Sequence, residues 1–159
     1  TPLPARNLAA LLEGTDKKDE LVIITSHYDH IGKSNGTSGD IINNGADDDG
    51  SGTVAVMEMA TEFMRAKKEG KGPRRSILFM TVTGEEIGLL GSEYYSANPI
   101  FPLANTVVDI NIDMIGRNDP EHAGKADYVY VIGADKLSSE LHEINERNNA
   151  TYTKLAFDY

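Results

Sequence analysis

The sequence predicts an α/β domain whose central sheet, mostly parallel or mixed, is flanked by helices. Three near-continuous runs of apolar, largely β-branched residues have the pattern of strands covered on both faces: Leu21–Ser26, Ser76–Thr83 and Thr106–Ile112. Segments with helical spacing separate these runs, and such alternation is typical of a largely parallel sheet. The chain has 159 residues, enough for one domain with a substantial core. We therefore expect residues 1–159 to form a single domain.

Two shorter strands and three helices complete the predicted architecture. The strands are Leu8–Glu13 and Tyr128–Ile132. The helices are Thr53–Lys68, Ile87–Ser96 and Leu137–Asn148. The apolar face of the first helix is predicted to consist of Val54, Met57, Ala60 and Met64. Ser51 is available as the N-cap of this helix.

The composition argues against several classes of function. Fifteen Lys and Arg residues against 25 Asp and Glu give a net charge of −10, which disfavours a general nucleic-acid surface or an anionic membrane partner. No apolar run approaches the roughly 20 residues that a membrane span requires. The sequence has no Cys, so only His, Asp and Glu could hold a metal. Nothing in the composition specifies an oligomeric state.

Four short polar segments lie at the ends of predicted strands or before a predicted helix. They are Ser26–Asp29, Gly45–Gly52, Gly84–Glu86 and Asn111–Asp113. Ligands of open α/β sheets bind at the carboxyl ends of the strands, so we expect His27, Glu85 and Asp113 to meet in one crevice. Burying several unpaired carboxylates together is costly in free energy. Two divalent cations would offset this cost, and a pair of bridged cations is typical of hydrolases.

The first two segments also allow plainer interpretations. His27 and Asp29 could be unrelated residues of a polar loop, or Asp29 could hold the imidazole for a metal. The run Asp47–Asp49 could simply begin a helix, although three adjacent carboxylates repel one another and favour a cation. The spacing from Asp47 to Glu58 also matches an EF-hand calcium loop.

The last two segments contain the remaining acidic candidates. Glu85 and Glu86 could be a helix-start pair, or one could ligate a metal while the other moves protons. Asp113 ends an apolar strand, where an unpaired charge is expensive. The other histidines are predicted to lie in a loop near the site (His30), in a polar loop (His122) and on a surface helix (His142).

Taken in this order, the four segments resemble the M28 family of metallopeptidases, the co-catalytic zinc aminopeptidases. Gly45–Gly52 and Thr83–Ser92 are especially close to the family pattern. The resemblance implies two divalent metal ions, which we expect to be zinc, with Glu85 as the general base. It implies as metal ligands His27, Asp48, Glu86 and Asp113. Asp48 would bridge the two ions and be followed by a cis peptide bond, while Asp29 would orient His27.

The resemblance also implies a function, the removal of N-terminal amino acids from peptide substrates. The alternatives are a carboxypeptidase, a single-zinc glutaminyl cyclase, a non-catalytic peptidase-like binding domain and a calcium module built on the Asp47–Glu58 loop. The family's last metal ligand, a His, would lie beyond Tyr159, so we expect a domain truncated at its carboxyl end and with little or no activity. Because family members are often secreted or periplasmic, we expect such a location.

Overall fold

The computed structural model describes residues 4–125 and 127–159. They form two compact units, of which the first ends at Gly116 and the second comprises Arg117–Tyr159. Within the described residues, no helix combines the length and the apolar character needed to cross a membrane.

The first unit is built on a four-stranded mixed sheet. Its strands are β1 (Leu8–Leu12), β2 (Lys17–His27), β3 (Arg75–Val82) and β4 (Thr106–Asn111). Their order is β1-β3-β2-β4, with β2 parallel to both β3 and β4 and with β1 antiparallel to β3. The predicted α/β class with a mixed sheet is therefore confirmed. Because β2, β3 and β4 are parallel, their carboxyl ends lie at one edge of the sheet, where the polar segments follow.

Apolar clusters cover both faces of this sheet. On one face α1 (Gly50–Lys68) packs against the strands, and the buried members of this cluster are Leu12, Ile24, Val56, Ile77 and Phe79. On the other face Tyr95 of α2 (Leu90–Ala97) completes a second cluster with Leu21, Ile23, Leu78, Met80 and Val82. Successive side chains of β2 and β3 point to opposite faces of the sheet, so they belong alternately to the two clusters. Because both faces are covered, the sequences of these two strands are apolar almost without interruption.

The predicted apolar face of α1 is wrong except at Ala60. Val54, Met57 and Met64 are 58%, 62% and 43% exposed. The helix instead packs a stripe of i, i+3, i+4 and i+7 residues against the sheet: Val56, Met59, Ala60 and Phe63. Both stripes are apolar in the sequence. The stripe that packs against the sheet contains Phe63, whose ring centroid lies 6.0 Å from that of Phe79.

The helix predicted from Ile87 begins three residues later. Gly88 and Leu89 both have positive φ angles, 115° and 60°, so the backbone cannot continue a right-handed helix through them. The segment from Glu85 to Leu89 is therefore a turn, closed by a hydrogen bond from Leu89 N–H to the Glu85 carbonyl (2.9 Å).

The second unit contains a parallel pair of strands, β5 (Tyr128–Tyr130) and β6 (Ala156–Asp158), and the helices α3 (Ala134–Leu137) and α4 (Ser139–Asn148). The single helix predicted over Leu137–Asn148 is broken at Ser138, which is extended and accepts a hydrogen bond from Leu141 N–H (3.2 Å) as the N-cap of α4. β6 was not predicted, because three residues carry too little pattern.

A polar cluster in the second unit is centred on Asp119. Its carboxylate accepts hydrogen bonds from the hydroxyls of Tyr128 (3.0 Å) and Tyr130 (2.8 Å) and from His122 N–H (2.9 Å). His122 lies in a turn, as predicted, and its ring stacks on that of Tyr128 with the ring centroids 3.7 Å apart, so it is part of this cluster. The hydrogen bond to Asp119 raises the pKa of Tyr130 to about 12.

Replacing Asp119 by Asn should return the pKa of Tyr130 towards the ordinary value of 10.0, because the ionised acceptor of its hydroxyl proton is lost. NMR titration of the Tyr130 ring carbon between about pH 8 and 11 would measure this, since Tyr titrates near pH 10 when unperturbed. The control is Glu121→Gln, which removes a nearby charge but no hydrogen bond and should lower the pKa less. An unchanged titration in the Asp119 variant would contradict the assignment.

Candidate metal centre

Asp49, the third acid of the Asp47–Asp49 run, is 1% exposed. Its carboxylate accepts hydrogen bonds from three backbone N–H groups, those of Gly52 (2.9 Å), His27 (3.0 Å) and Met114 (3.4 Å). Asp49 is thus the N-cap of α1, the position that the sequence suggested for Ser51. Burial raises the pKa of Asp49, and the backbone donors oppose this by stabilising the ionised form.

The neighbours of Asp49 lock the same turn to the segment after β4. The Asp47 carboxylate accepts a hydrogen bond from Gly116 N–H (2.7 Å). The Ser51 hydroxyl donates to the Asp47 carbonyl (2.7 Å) and accepts from Ile115 N–H (3.1 Å). Gly52 has to be a glycine, because a Cβ there would collide with the Asp49 carboxylate and the Ile112 carbonyl.

Within the acidic run, therefore, the outer two residues hold the backbone, and the carboxylate of the middle one, Asp48, faces two histidines. The Asp48–Asp49 peptide bond is cis, the geometry that the resemblance implied. The calcium-loop alternative is excluded, because α1 begins at Gly50 and Asp49 directs both carboxylate oxygens at backbone N–H groups.

His27, at the end of β2, is 2% exposed and presents one free ring nitrogen to the acidic groups. Its Nδ1 lies 3.0 Å from the carbonyl oxygen of Asp29, an acceptor, so Nδ1 donates its proton there and Nε2 is the ring nitrogen left for a ligand. Nε2 has no hydrogen-bond partner and lies 3.1 Å from Asp48 Oδ1 and 3.7 Å from Asp113 Oδ2. An imidazole nitrogen that has no hydrogen-bond partner and faces two carboxylates fits a metal ligand set.

Asp29 was predicted to orient His27 with its carboxylate, but the contact to His27 is made by its backbone carbonyl. The carboxylate oxygen Oδ1 lies 3.8 Å from His27 Nδ1. It accepts instead a hydrogen bond from Glu85 N–H (3.2 Å), and Oδ2 accepts one from Glu86 N–H (3.4 Å). Asp29 therefore connects the ends of β2 and β3 and fixes the backbone from which the two glutamates diverge.

His30 was predicted only to be a loop residue near the site. Its Nδ1 lies 2.6 Å from Glu86 Oε1 and 4.0 Å from Asp48 Oδ2. Both His30 Nδ1 and Glu86 Oε1 are buried atoms without a hydrogen-bond partner. The signal that could have identified His30 is its position directly after the Ser26–Asp29 segment, three residues from His27.

The imidazole and carboxylate atoms that face one another form two groups of potential ligands, each of which could hold a cation; we call them the two cation groups. One group is His27, Asp48 and Asp113, and the other is His30, Asp48 and Glu86, with ligand atoms within 4.8 Å of one another in each. They share Asp48, which directs Oδ1 at His27 and Oδ2 at His30. The buried, unpartnered ring nitrogens and the mixed imidazole and carboxylate donors fit divalent cations such as zinc.

The electrostatics of the site reflect an excess of negative charge. Burial, reinforced by neighbouring carboxylates, raises the pKa of Glu85 and of Asp113. Burial alone would lower the pKa of His27, but the charges of Asp113 and Asp49 outweigh it, so this pKa is also raised. Each shift reports that an added positive charge, a proton or a metal ion, is favourable here.

The structure brings all six predicted site residues together at the carboxyl edge of the sheet. The residues that belong to the cation groups are His27, Asp48, Glu86 and Asp113, and those beside them are Asp29 and Glu85. Glu85 belongs to neither group, and its Oε2 lies 3.8 Å from His27 Nε2. His122 and His142 belong to the second unit.

The two groups of imidazole and carboxylate ligands at the sheet edge have the chemistry of a centre for two divalent cations. The model of peptidase family M28 matches residues 7–158, and the chain belongs to this family.

Two curated relatives and one solved structure illustrate the similarity. Aminopeptidase YwaD of Bacillus subtilis is 29% identical over 143 residues, covering 89% of this chain and 27% of the relative. A probable zinc metalloprotease of Leptosphaeria maculans is 32% identical over 120 residues, covering 74% of this chain and 26% of the relative. The aminopeptidase from Aneurinibacillus sp. strain AM-1 has the same fold, with a TM-score of 0.68 and 21% identity, over 96% of this chain and 34% of that one. The chain thus spans about a quarter to a third of the length of these proteins.

Replacing Asp49 by Asn should lower the free energy of unfolding by at least about 2 kcal/mol, because the amide cannot accept from all three N–H groups and its own NH₂ faces a donor. Urea unfolding in the presence of EDTA isolates this effect from metal binding. The matched control is Asp19→Asn, an exposed acid of β2, which should change stability by less than about 0.5 kcal/mol. Equal stabilities of the two variants would contradict the role given to Asp49.

Proposed function

We propose that this chain carries the metal-binding and proton-transfer residues of a zinc-dependent exopeptidase that removes N-terminal amino acids from peptides. The observation that carries the proposal is the pair of imidazole and carboxylate groups that share Asp48, with Glu85 beside them and in neither group. Membership of the M28 family and the names of its relatives support the reaction type.

In this proposal His27, Asp48 and Asp113 would bind one cation. Glu86 would bind the other together with Asp48, which belongs to both groups. Bound divalent cations would supply the Lewis acidity that hydrolysis of an amide requires. Asp29 keeps Nδ1 of His27 protonated through its carbonyl, so that Nε2 stays available as a ligand atom.

Glu85 is the residue proposed to move the proton. Its carboxylate belongs to neither cation group, and its Oε2 lies 3.8 Å from His27 Nε2, so it is free to act on a proton beside the cations. Glu85 would take a proton from the attacking water and return it to the amine that leaves. The hydrogen bond from its N–H to Asp29 holds its backbone while Glu86 turns towards His30.

Replacing Glu85 by Gln should reduce turnover of leucine-p-nitroanilide by at least about a hundredfold, because the amide cannot accept the proton. The assay is made on this chain and on any longer natural polypeptide that contains it. Zinc binding, measured by calorimetry in the same samples, should persist, since Glu85 belongs to neither cation group.

The control is Glu93→Gln, an exposed acid of α2, which should leave both turnover and zinc binding unchanged. Full turnover by the Glu85 variant with zinc bound would contradict the base assignment. A folded longer polypeptide, extended past Tyr159, that binds no zinc would contradict the peptidase proposal and favour a non-catalytic binding role.

A further inference from the structure

We infer that Asn7 is a positioning residue for the proton-transfer step, because its side-chain amide fixes the two ends of the turn that carries Glu85 and Glu86. The inference rests on the proposed function, since the position of this turn matters to the reaction only if Glu85 moves a proton. It goes further in assigning a role to a residue that lies outside the polar strand-end segments, directly before β1.

The Asn7 amide makes one hydrogen bond at each end of the turn. Its Oδ1 accepts from Thr83 N–H (3.2 Å), just after β3, and its Nδ2 donates to the Gly91 carbonyl (2.7 Å), in the first turn of α2. The backbone N–H requires an acceptor and the carbonyl requires a donor, so the two partners also fix which way the amide faces. We call Asn7, Thr83 and Gly91 the amide clamp.

The register of β1 explains why an amide side chain fits at this position. β1 pairs with β3 from Leu12 opposite Ile77 to Leu8 opposite Thr81, so the backbone pairing of the two strands ends before Thr83. A carboxamide has the same kinds of donor and acceptor as a peptide group. Asn7 therefore supplies Thr83 N–H with the acceptor that the paired backbone of β1 no longer provides.

The start of α2 lies very close to the end of β3 at this point. A Cβ on Gly91, which is buried, would lie 2.4 Å from the Thr83 carbonyl oxygen and 2.5 Å from Asn7 Oδ1. Both distances are far shorter than atoms of these kinds can approach. Only a glycine at position 91 lets the two ends of the turn come together with the amide between them.

The turn between these ends needs support from outside. Leu89 has a φ angle of 60°, a left-handed conformation that a bulky residue keeps only where the surrounding structure enforces it. Asp29 supports the middle of the turn through the N–H groups of Glu85 (3.2 Å) and Glu86 (3.4 Å). The amide clamp supports its ends, and without the clamp the turn would relax and displace the Glu85 carboxylate.

Asn7 is in turn held from the end of β2. The Tyr28 hydroxyl donates to the Arg6 carbonyl (2.7 Å), and the Tyr28 N–H donates to the Val82 carbonyl (3.1 Å). Tyr28 directly follows His27, a member of the first cation group. This series of hydrogen bonds therefore fixes the segment before β1, and with it the amide clamp, relative to the strand end that carries His27.

The first test is amide hydrogen exchange, measured by NMR on this chain, which requires neither metal nor activity. Asn7→Ala should raise the exchange rates of Thr83 N–H and Glu85 N–H at least about tenfold, because one loses its acceptor and the other the rigid turn around it. The matched control is Asn98→Ala, which removes an exposed side-chain amide at the other end of α2 and should leave both rates unchanged.

A second variant keeps this test decisive if Asn7→Ala does not fold. Tyr28 is 45% exposed, so Tyr28→Phe removes only the hydroxyl that holds the Arg6 carbonyl. It should raise the exchange rate of Thr83 N–H in the same direction but less, by at least about threefold.

The next test asks whether the amide clamp acts through Glu85, and it uses a longer polypeptide, extended past Tyr159, at saturating zinc. Asn7→Ala should lower kcat for leucine-p-nitroanilide by about ten- to a hundredfold with KM little changed, because a small displacement of the base slows proton transfer. In a Glu85→Gln background the same substitution should cause no further loss. A general structural defect would instead lower kcat equally in both backgrounds.

Unchanged exchange rates of Thr83 N–H and Glu85 N–H in folded Asn7→Ala would overturn the inference. Equal losses of kcat in the two backgrounds would do the same, because the amide clamp would then act on the fold rather than through Glu85. Neither result would affect the assignment of Glu85, which depends on the comparison of Glu85→Gln with wild type. A wild-type longer polypeptide without turnover would contradict the proposed function and the positioning role, while the exchange rates would still decide whether the clamp holds the turn.

Discussion

The buried carboxylate of Asp49 is the interaction on which the arrangement of the site depends. Its three backbone hydrogen bonds join the end of β2, the first turn of α1 and the segment that follows β4. These are the segments that carry His27, Asp48 and Asp113, so one side chain sets the separations among the residues of the first cation group. A buried carboxylate is tolerated there because backbone N–H groups and the start of a helix compensate its charge.

A division of labour follows within the acidic run. Asp47 and Asp49 have hydrogen bonds to the backbone, which leaves Asp48 as the carboxylate that faces both histidines. Asp29 has the corresponding role for the glutamates, since its carboxylate holds the N–H groups of Glu85 and Glu86. In both places one acid positions the backbone so that its neighbour can act, as preorganised sites require.

The positioning acids also explain why so much negative charge can be concentrated in a small chain. Their carboxylates accept hydrogen bonds from backbone N–H groups, which offset part of the cost of concentrating the charge. The groups that remain uncompensated are those that face His27 and His30, and the raised pKa values of Glu85 and Asp113 show the cost of leaving them so. One edge of the sheet thus carries an excess of negative charge, which a bound divalent cation would neutralise.

The sequence by itself determined the sheet, the strand ends and the segments that gather there, because buried parallel strands leave long apolar runs and their carboxyl ends converge by topology. It could not determine which acid of a run points inward, that Asp29 contacts His27 through its carbonyl, or that His30 faces Glu86. Nor could it select the buried stripe of α1, where two apolar faces compete. Those choices depend on side-chain directions and backbone hydrogen bonds between segments distant in sequence, and only tertiary packing decides them.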